Sequence, residues 1–367
     1  MRIRSVPHGG LLSLILIVVS LIGLPLLGIV LSGQPITPYL EFPPLTHHVQ
    51  HAPFSWPVFL GVALLIAAVI APGAWRIITC TTLSGRPTMW RPLFPLWGWL
   101  GVLLMALAWW LAWTRFPWFA ALQPFTFMPL WLGYIVVINA LTYRITRACL
   151  LINRPRYLVV LFLLSAAFWW CFEYLNRFVQ NWYYVGIEDF SPAAYVFYAT
   201  LSFSTVLPAV VSTAEWLMTS KRLGSAFRHL KAIHASHPAL IGGIVFVLAG
   251  AGLMSIGIWP DYLFPLLWVS PLLIITSLQT MLRRDTIFTS IRHGDWRPIC
   301  LPALAGLQCG FFWELWNWHS LAHWEYAIPY VHRFLIFEMP LLGYAGYLPF
   351  GLECLVVANL LKPKDAQ

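Results

Sequence analysis

Apolar runs of about 20 residues recur along the whole chain, and they constrain its fold more than any other feature. We count about ten, at roughly 11–31, 56–74, 96–114, 120–142, 157–178, 192–218, 239–258, 260–282, 299–318 and 331–361. A helix needs about 20 residues to cross the ~30 Å hydrocarbon core of a bilayer. Charged residues make up only 10% of the chain, against about 25% in soluble proteins. Because a backbone in lipid must satisfy its own hydrogen bonds, we predict an all-α, polytopic membrane protein with about ten transmembrane helices.

Positive charge is distributed unevenly between the two sets of loops that ten spans would create. With the N-terminus placed in the cytoplasm, nineteen of the 22 Lys and Arg residues fall in or beside cytoplasmic segments, and only Arg115, Arg177 and Arg333 fall on the other side. Cytoplasmic loops of membrane proteins carry such an excess. We therefore interpret the net charge of +9 as topology with some contact to membrane lipids, and not as nucleic-acid binding. Both termini are predicted to be cytoplasmic.

Two stretches of the sequence resemble each other and indicate an internal repeat. FEYLNRFVQNWYY (172–184) and WELWNWHSLAHWEY (313–326) share a Glu and an Asn three residues apart, followed by a Trp and a Tyr two residues apart. The matched pairs are Glu173 and Glu314, Asn176 and Asn317, Trp182 and Trp324, and Tyr184 and Tyr326. A proline follows each glutamate after 35 residues, at Pro208 and Pro349. An ordered series of matches favours duplication over chance.

The repeat predicts three parts of the chain. Residues 1–95 hold two N-terminal transmembrane helices with an extracytoplasmic loop at 32–55, residues 96–218 form a first four-helix repeat, and residues 239–361 form a second. Because four spans is an even number, the two copies share one orientation, as in parallel repeats related by an axis along the membrane normal. Sites in such proteins lie where the repeats meet, so we expect a site between the copies.

Three glutamates fall where the sequence is otherwise apolar or aromatic. Glu173 and Glu314 lie about one turn before the extracytoplasmic ends of their spans, and Glu338 follows the next loop. A carboxyl group inside a span is costly and usually faces a cavity or a partner. Burial among tryptophans favours the neutral acid, which can act as a general acid. We predict all three as catalytic residues. The structural alternatives are a pair between Glu173 and Arg177, or a bond from each Glu to the Asn of the other copy.

Polar and aromatic side chains around these glutamates are candidates for holding a substrate. The E-x-x-N spacing puts carboxyl and amide on one helical face, because residues three apart are neighbours. The predicted substrate-binding residues are Asn176, Asn317, Trp182, Tyr184, Trp313, Trp324, Tyr326 and Arg333. The alternative for the aromatic members is an interfacial belt, since Trp and Tyr are enriched where a bilayer meets water.

Histidines near the second E-x-x-N motif raise the question of a metal. His319 and His323 are four residues apart, and His332 follows. Zinc needs three or four convergent ligands, and the chain has no HExxH motif. Since the stretch from 319 to 332 is expected to leave the helix, the spacing loses its geometric meaning. We predict no metal site, with these three histidines as weak candidates, and the sequence identifies no cofactor.

Four longer stretches carry a resemblance to a protein family. They are PLWLGYIVVINAL, FEYLNRFVQNWYY, RHGDWRPICLPALAGLQCGFFWELWNW and FEMPLLGYAGYLPFGLE. Together they resemble a family of uncharacterised bacterial polytopic inner-membrane proteins, and the resemblance runs over most of the chain. It implies a location in the bacterial inner membrane. No activity, substrate or catalytic residue can be carried over from it.

Three classes of function remain open on this basis. Polar groups gathered at one face of the membrane favour an enzyme acting on a lipid or an isoprenoid-like substrate, with carboxyl groups as proton donors. A parallel repeat with intramembrane Glu and Asn also fits a proton- or cation-coupled transporter or channel. A non-catalytic subunit or assembly factor would use the same aromatic surface to contact another membrane protein. A closed pocket at the outer face would favour the enzyme, and a pore between the halves would favour transport.

Overall fold

The computed structural model describes residues 8–44, 46–80 and 93–360, and these residues are predominantly helical. The principal helices are α1 (His8–Leu31), α2 (Trp56–Thr79), α3 (Leu96–Trp113), α4 (Phe127–Thr146), α5 (Pro155–Asn176), α6 (Pro192–Phe203), α7 (Val206–Met218), α8 (Pro238–Ser255), α9 (Pro265–Met281), α10 (Arg297–Asn317) and α11 (Tyr347–Asn359). Shorter helical segments lie at Thr37–Leu40, Pro117–Phe125, Leu150–Asn153, Lys221–Phe227, Pro260–Leu263, Thr289–His293 and Leu341–Gly346. The predicted orientation depends partly on six basic residues that lie outside the described ranges: Arg2, Arg4, Arg86, Arg91, Lys362 and Lys364.

Nine helical segments within the described ranges are long and apolar enough to cross a membrane. Helices α6 and α7 together form one of them, and Leu341–Asn359 forms another. The predicted span at 260–282 is shorter, because α9 has 17 residues. The prediction of a helical chain with many segments able to cross a membrane is confirmed at this level. The exact number of spans and the cytoplasmic position of the termini stay predictions.

Four of the predicted runs are not continuous helices, and 120–142 and 260–282 are each divided into a short helical segment and a longer helix. The run 192–218 is interrupted between α6 and α7, where Pro208 has no backbone N–H to donate to the carbonyl four residues earlier. At the same interruption the Thr205 hydroxyl donates to Ser202 O at 2.7 Å. The run 331–361 begins as a loop and two short strands, and it becomes helical only at Leu341.

Two strands join the halves of the chain at one end of the bundle. β1 (Trp182–Val185) follows α5, β2 (His323–Tyr326) follows α10, and the two pair antiparallel. Trp182 lies opposite Tyr326, and Tyr184 lies opposite Trp324. The Trp of each stretch therefore lies opposite the Tyr of the other stretch. A two-fold axis between the two strands would produce this arrangement. We call this end the ribbon end; the duplication of whole four-helix units, with its limits at 96–218 and 239–361, stays a prediction.

A small β-hairpin lies beside the two-stranded ribbon that β1 and β2 form. β3 (Leu335–Ile336) pairs with β4 (Met339–Pro340), and the chain then enters the helical segment that leads to α11. Leu335 and Ile336 are exposed, whereas Met339 and Pro340 are buried. The hairpin therefore lies on the outside of the bundle with one strand against it.

The bundle is built around α7, α10 and α11, with α4 packed against α7. Every residue of α7 from Val206 to Ala214 is buried. Helices α10 and α11 approach most closely at two glycines: a Cβ on Gly351 would lie 2.9 Å from the Gly306 backbone nitrogen. Such small residues let helix backbones pack tightly in membranes, where burial of apolar surface gives little driving force between helices.

The loop between α1 and α2 is anchored at the ribbon end. His51 Nδ1 lies 2.6 Å from Asp261 Oδ1, and its Nε2 lies 3.2 Å from Gln180 O. The Ala52 backbone N–H donates to Asp261 Oδ2 at 3.0 Å. The loop is thereby connected to the segment after α5 and to the short helix before α9, next to the candidate site.

Candidate functional site

Two asparagines hold the strands of the ribbon against the helices that precede them. Asn317 is fully buried; its Nδ2 donates to Trp324 O at 2.7 Å, and its Oδ1 accepts from Trp324 N at 2.8 Å. Asn176, also fully buried, donates to Trp182 O at 2.7 Å and accepts from Asn181 N at 2.8 Å. The two E-x-x-N motifs thus perform the same local task. They fix the position of the Trp and the Tyr that follow.

The Glu173 carboxyl group lies beneath the first strand and is fully buried. Its Oε1 accepts three hydrogen bonds: from Trp169 Nε1 at 2.9 Å, from Trp182 Nε1 at 3.1 Å and from the Tyr184 hydroxyl at 2.6 Å. Three donors on one oxygen offset much of the cost of burying this polar group. The expected structural pair with Arg177 is absent from these contacts, and Asn317 of the other half is bonded elsewhere.

The Glu314 carboxyl group is arranged in the same way beneath the second strand. It is fully buried, and its Oε1 accepts from the Tyr326 hydroxyl at 2.7 Å and from the Tyr347 hydroxyl at 2.5 Å. Trp324 Nε1 donates to the Tyr326 oxygen at 2.8 Å, which continues the chain of bonds. The structural alternative of a bond from Glu314 to Asn176 is wrong, because Asn176 is occupied by backbone groups.

Each of these two carboxyl groups keeps one oxygen unpaired. Glu173 Oε2 and Glu314 Oε2 are buried and have no hydrogen-bond partner among the residues that the structure describes. A carboxylate oxygen can accept a further bond, and a protonated one can donate. Both groups are therefore anchored through one oxygen, and the other oxygen keeps unused hydrogen-bonding capacity.

The tyrosines of the ribbon are held in the protonated form. Burial raises the pKa of Tyr184 well above its ordinary value, and the neighbouring Glu173 adds to the rise. Burial likewise raises the pKa of Tyr326, followed by the effect of Glu314. Both hydroxyls are consequently donors to their carboxyl groups at neutral pH.

A cavity of about 730 Å³ lies directly beneath the ribbon. This volume is within the range of about 300–1,000 Å³ that is usual for small-molecule sites. Its walls come from α2, α6, α9, the ribbon and the start of α11, and they are overwhelmingly apolar and aromatic. Five predicted binding residues line it: Trp182, Tyr184, Trp313, Trp324 and Tyr326.

The ribbon has two faces, because side chains alternate along a strand. Trp182, Tyr184, Trp324 and Tyr326 face the cavity. On the other face the Tyr183 hydroxyl donates to Glu325 Oε2 at 2.5 Å. The cavity thus has an aromatic roof with hydroxyl groups, and the opposite side of that roof carries the hydrogen bond between Tyr183 and Glu325.

Several predicted site residues do not line the cavity. Glu173, Glu314, Asn176 and Asn317 lie behind its wall. The glutamates bond to ribbon side chains that line the cavity, and the asparagines bond to the backbone that carries those side chains. Glu338 is half-buried in the turn between β3 and β4, where burial and then the Glu325 carboxylate raise its pKa. Arg333 is exposed beside the N-terminus of α2. We therefore place Glu338 and Arg333 outside the carboxyl–tyrosine network.

The candidate metal ligands do not converge. His319 stacks on Trp318 with a centroid distance of 4.2 Å, and His323 Nε2 lies 3.6 Å from Glu325 Oε1. Burial and the neighbouring His48 lower the pKa of His332. Across the described ranges no group of three His, Cys, Asp or Glu side chains is placed to hold a metal ion.

Sequence reasoning missed several residues of the site. Trp169 lies one helical turn before Glu173, so the spacing of four residues was a usable signal. Tyr347 lies 33 residues after Glu314, and no local pattern indicates its role. Trp268 and Tyr195 also line the cavity. Such residues are brought to the site by packing between helices that are distant in the chain.

A third carboxyl group is buried in the bundle. Glu353 lies inside α11 and is 1% exposed. Its Oε2 has no hydrogen-bond partner within the described part of the chain. Because α11 begins at Tyr347, Glu353 lies about two turns further from the ribbon end than the Tyr347–Glu314 bond.

Comparison of the chain with models of protein families, with curated proteins and with solved structures gives no match. The resemblance to a bacterial inner-membrane family therefore stays a prediction. The function has to be argued from the geometry of the cavity and its walls.

Proposed function

We propose that the protein is a membrane-embedded enzyme that binds a lipid or isoprenoid-like substrate in the cavity and exchanges a proton with it. The observation that carries this proposal is a single cavity wall in which Tyr184 and Tyr326 are bonded to buried carboxyl groups. The remaining walls offer apolar surface. A substrate with a long hydrocarbon part fits such a chamber better than a polar solute does.

The wall residues suit proton transfer to an apolar substrate. A tyrosine hydroxyl bonded to a carboxyl group can give or take a proton within hydrogen-bond reach. The faces of Trp182, Trp268 and Trp313 can stabilise a positive charge that develops on the substrate. Because the cavity walls are apolar, water competes little with these contacts.

A proton-coupled transporter is the second candidate, and Glu353 is the observation that favours it. An intramembrane carboxyl group is a functional-site candidate by default. Together with Glu314 it places titratable groups at two depths of the bundle. Purified protein in liposomes with an internal pH-sensitive dye separates the candidates. Proton flux that Glu353→Gln abolishes would favour transport over the enzyme.

The ligand-binding part of the proposal is tested by filling the cavity. Ala199 lies in α6 and lines the cavity, so Ala199→Trp places an indole inside it. Ala193 is exposed on the same helix, and Ala193→Trp is the matched control. Lipid extracted from each purified variant is measured by mass spectrometry. We expect Ala199→Trp to lose a lipid that the wild type and the control retain, and equal retention by all three would refute lipid binding in the cavity.

The catalytic part is tested in cells. Lipid profiles of strains with and without the gene are compared, and the accumulated species identifies the substrate. We expect Glu314→Gln to leave the protein folded and inserted while failing to restore the wild-type profile. Full restoration would reduce Glu314 to a structural hydrogen-bond acceptor.

The location and orientation in the membrane are part of the same proposal. We propose the bacterial inner membrane, with the ribbon end extracytoplasmic and both termini in the cytoplasm. The distribution of Lys and Arg between the loops supports this orientation. The site would then be open to lipid of the outer leaflet.

A further inference from the structure

Arg333 is held among aromatic rings at the ribbon end. Its guanidinium carbon lies 4.9 Å from the ring centre of Phe54, 5.3 Å from that of Trp56 and 5.7 Å from that of Phe334. Distances below about 6 Å are typical of cation–π contacts. These contacts use the faces of the rings, so they orient the guanidinium group without occupying its N–H donors.

Among the residues that the structure describes, no carboxylate pairs with the charge on Arg333. Throughout the described ranges its side chain makes no hydrogen bond, and no ion pair includes it. Arg115, another arginine at the ribbon end, differs because its guanidinium donates to Ala112 O at 2.5 Å and to His319 O at 2.8 Å. Arg333 is therefore exposed, oriented and free to bind an anion.

The position of Arg333 relates it to the cavity. Phe54 and Trp56 lie at the start of α2, and Val58, Val62 and Ile66 of that helix line the cavity on one face. Val331, two residues before Arg333, lines the cavity as well. Most of α2 is otherwise exposed at the surface of the bundle, since Phe59 is its only buried residue. A lipid chain that enters the cavity beside α2 would leave its polar end near Arg333.

The neighbours of Arg333 indicate the depth of a membrane interface. Trp56 is 49% exposed and Phe334 is 50% exposed. Exposed Trp at the end of an apolar helix is typical of the headgroup level of a bilayer. A guanidinium group at that level matches the planar, bidentate geometry of a phosphate.

We propose that Arg333 binds the phosphate of an anionic lipid whose chains occupy the cavity. The inference rests on the proposed function, because it assigns a headgroup to the ligand of the same cavity. It divides the ligand into an apolar part beneath the ribbon and a phosphate at the outer end of α2. The substrate class becomes a phosphate-bearing lipid instead of a neutral one.

The experiment compares two probes that differ only in the phosphate. Dioleoyl phosphatidic acid and dioleoylglycerol are titrated into the full-length protein in an uncharged detergent, and bound lipid is counted by native mass spectrometry. A charge-assisted bond contributes about 1.5–3 kcal/mol, so we expect the wild type to bind phosphatidic acid roughly tenfold or more tightly. Arg333→Gln should abolish this preference and leave dioleoylglycerol binding unchanged. Arg333→Lys should keep part of it.

Controls separate the outcomes. Arg115→Gln removes a positive charge at the same end and should leave the preference intact, and inorganic phosphate should not displace the lipid. Equal binding of both probes by the wild type, or a preference that survives Arg333→Gln, would overturn the phosphate assignment and leave the cavity proposal standing. Displacement by millimolar inorganic phosphate would show a site for the free anion and overturn the lipid assignment. Binding of neither probe would refute the cavity proposal itself.

Discussion

Replacing Asn317 by Leu should destabilise the protein far more than an ordinary polar-to-apolar change. The Asn317 side chain makes two hydrogen bonds to the backbone of Trp324, at 2.7 and 2.8 Å, and it is fully buried. Leucine keeps the volume approximately, so the main loss is the two bonds. Each backbone group left unsatisfied costs about 1–3 kcal/mol, which makes the expected loss in the free energy of unfolding about 2–6 kcal/mol.

Unfolding can be followed through the cysteines of the chain. None of the six is exposed, so reaction with a thiol-specific dye in detergent reports loss of structure. Gln308→Leu on the same helix is the matched control, because Gln308 is half-buried and donates one bond, to the Tyr134 hydroxyl at 3.0 Å. We expect the control to cost about 1 kcal/mol. If Asn317→Leu costs no more than Gln308→Leu, the reasoning about the asparagine is refuted.

The variant should also affect the cavity. Asn317 fixes Trp324, and Tyr326 follows two residues later with its hydroxyl on Glu314. Loss of the asparagine bonds therefore removes the constraint on a cavity-lining tyrosine. We expect Asn317→Leu to retain less lipid than Gln308→Leu at a temperature where both variants are folded.

Three further predictions concern topology, chemistry and pH. In a cysteine-free background, His48→Cys should label with an impermeant thiol reagent from outside the cell, and His234→Cys should not. Both positions are exposed in the structure, and the reverse labelling pattern would show that the orientation is inverted. Glu314→Gln should fail to complement a gene deletion although it reaches the membrane in normal amount, and full complementation would contradict its catalytic role. Because burial and Glu325 raise the pKa of Glu338 above 4.5, this carboxyl group costs stability as the pH rises through its raised pKa. Glu338→Gln should therefore reduce the loss of stability that occurs as the pH rises above the ordinary range of a carboxyl group, and an unchanged profile would show that Glu338 does not contribute to it.

Much of the site could be anticipated from local patterns. The spacing of Glu314 and Asn317 placed both on one face of a helix, and the structure buries both side chains completely. Five aromatic residues chosen from the same two stretches line the cavity. These residues lie close in sequence to the glutamates, so local geometry brings them near. The role of the glutamates in catalysis stays a prediction, because bonding to tyrosine is compatible with structure and with chemistry.

Other parts of the site could not be anticipated. Tyr347 donates to Glu314 from a different helix. Glu353 is buried by residues that are distant from it in the sequence. The alternative pairing of Glu173 with Arg177 is not among its hydrogen bonds, because indole and hydroxyl donors occupy the bonded oxygen of the carboxyl group. A helix of uniform apolarity has no amphipathic pattern to indicate which face meets protein and which meets lipid.

The sequence by itself determined that the chain is helical and rich in segments able to cross a membrane, because apolar length and scarcity of charge decide which solvent a segment can tolerate. It also determined which short stretches carry polar groups into that solvent. Only the tertiary structure decided that two of these stretches pair as strands above an apolar cavity. It also decided that Glu173 accepts from two indoles and a tyrosine, and Glu314 from two tyrosines. The physical reason is that partition into lipid depends on the composition of a single segment. The partner of a buried polar group depends on which distant segments pack beside it.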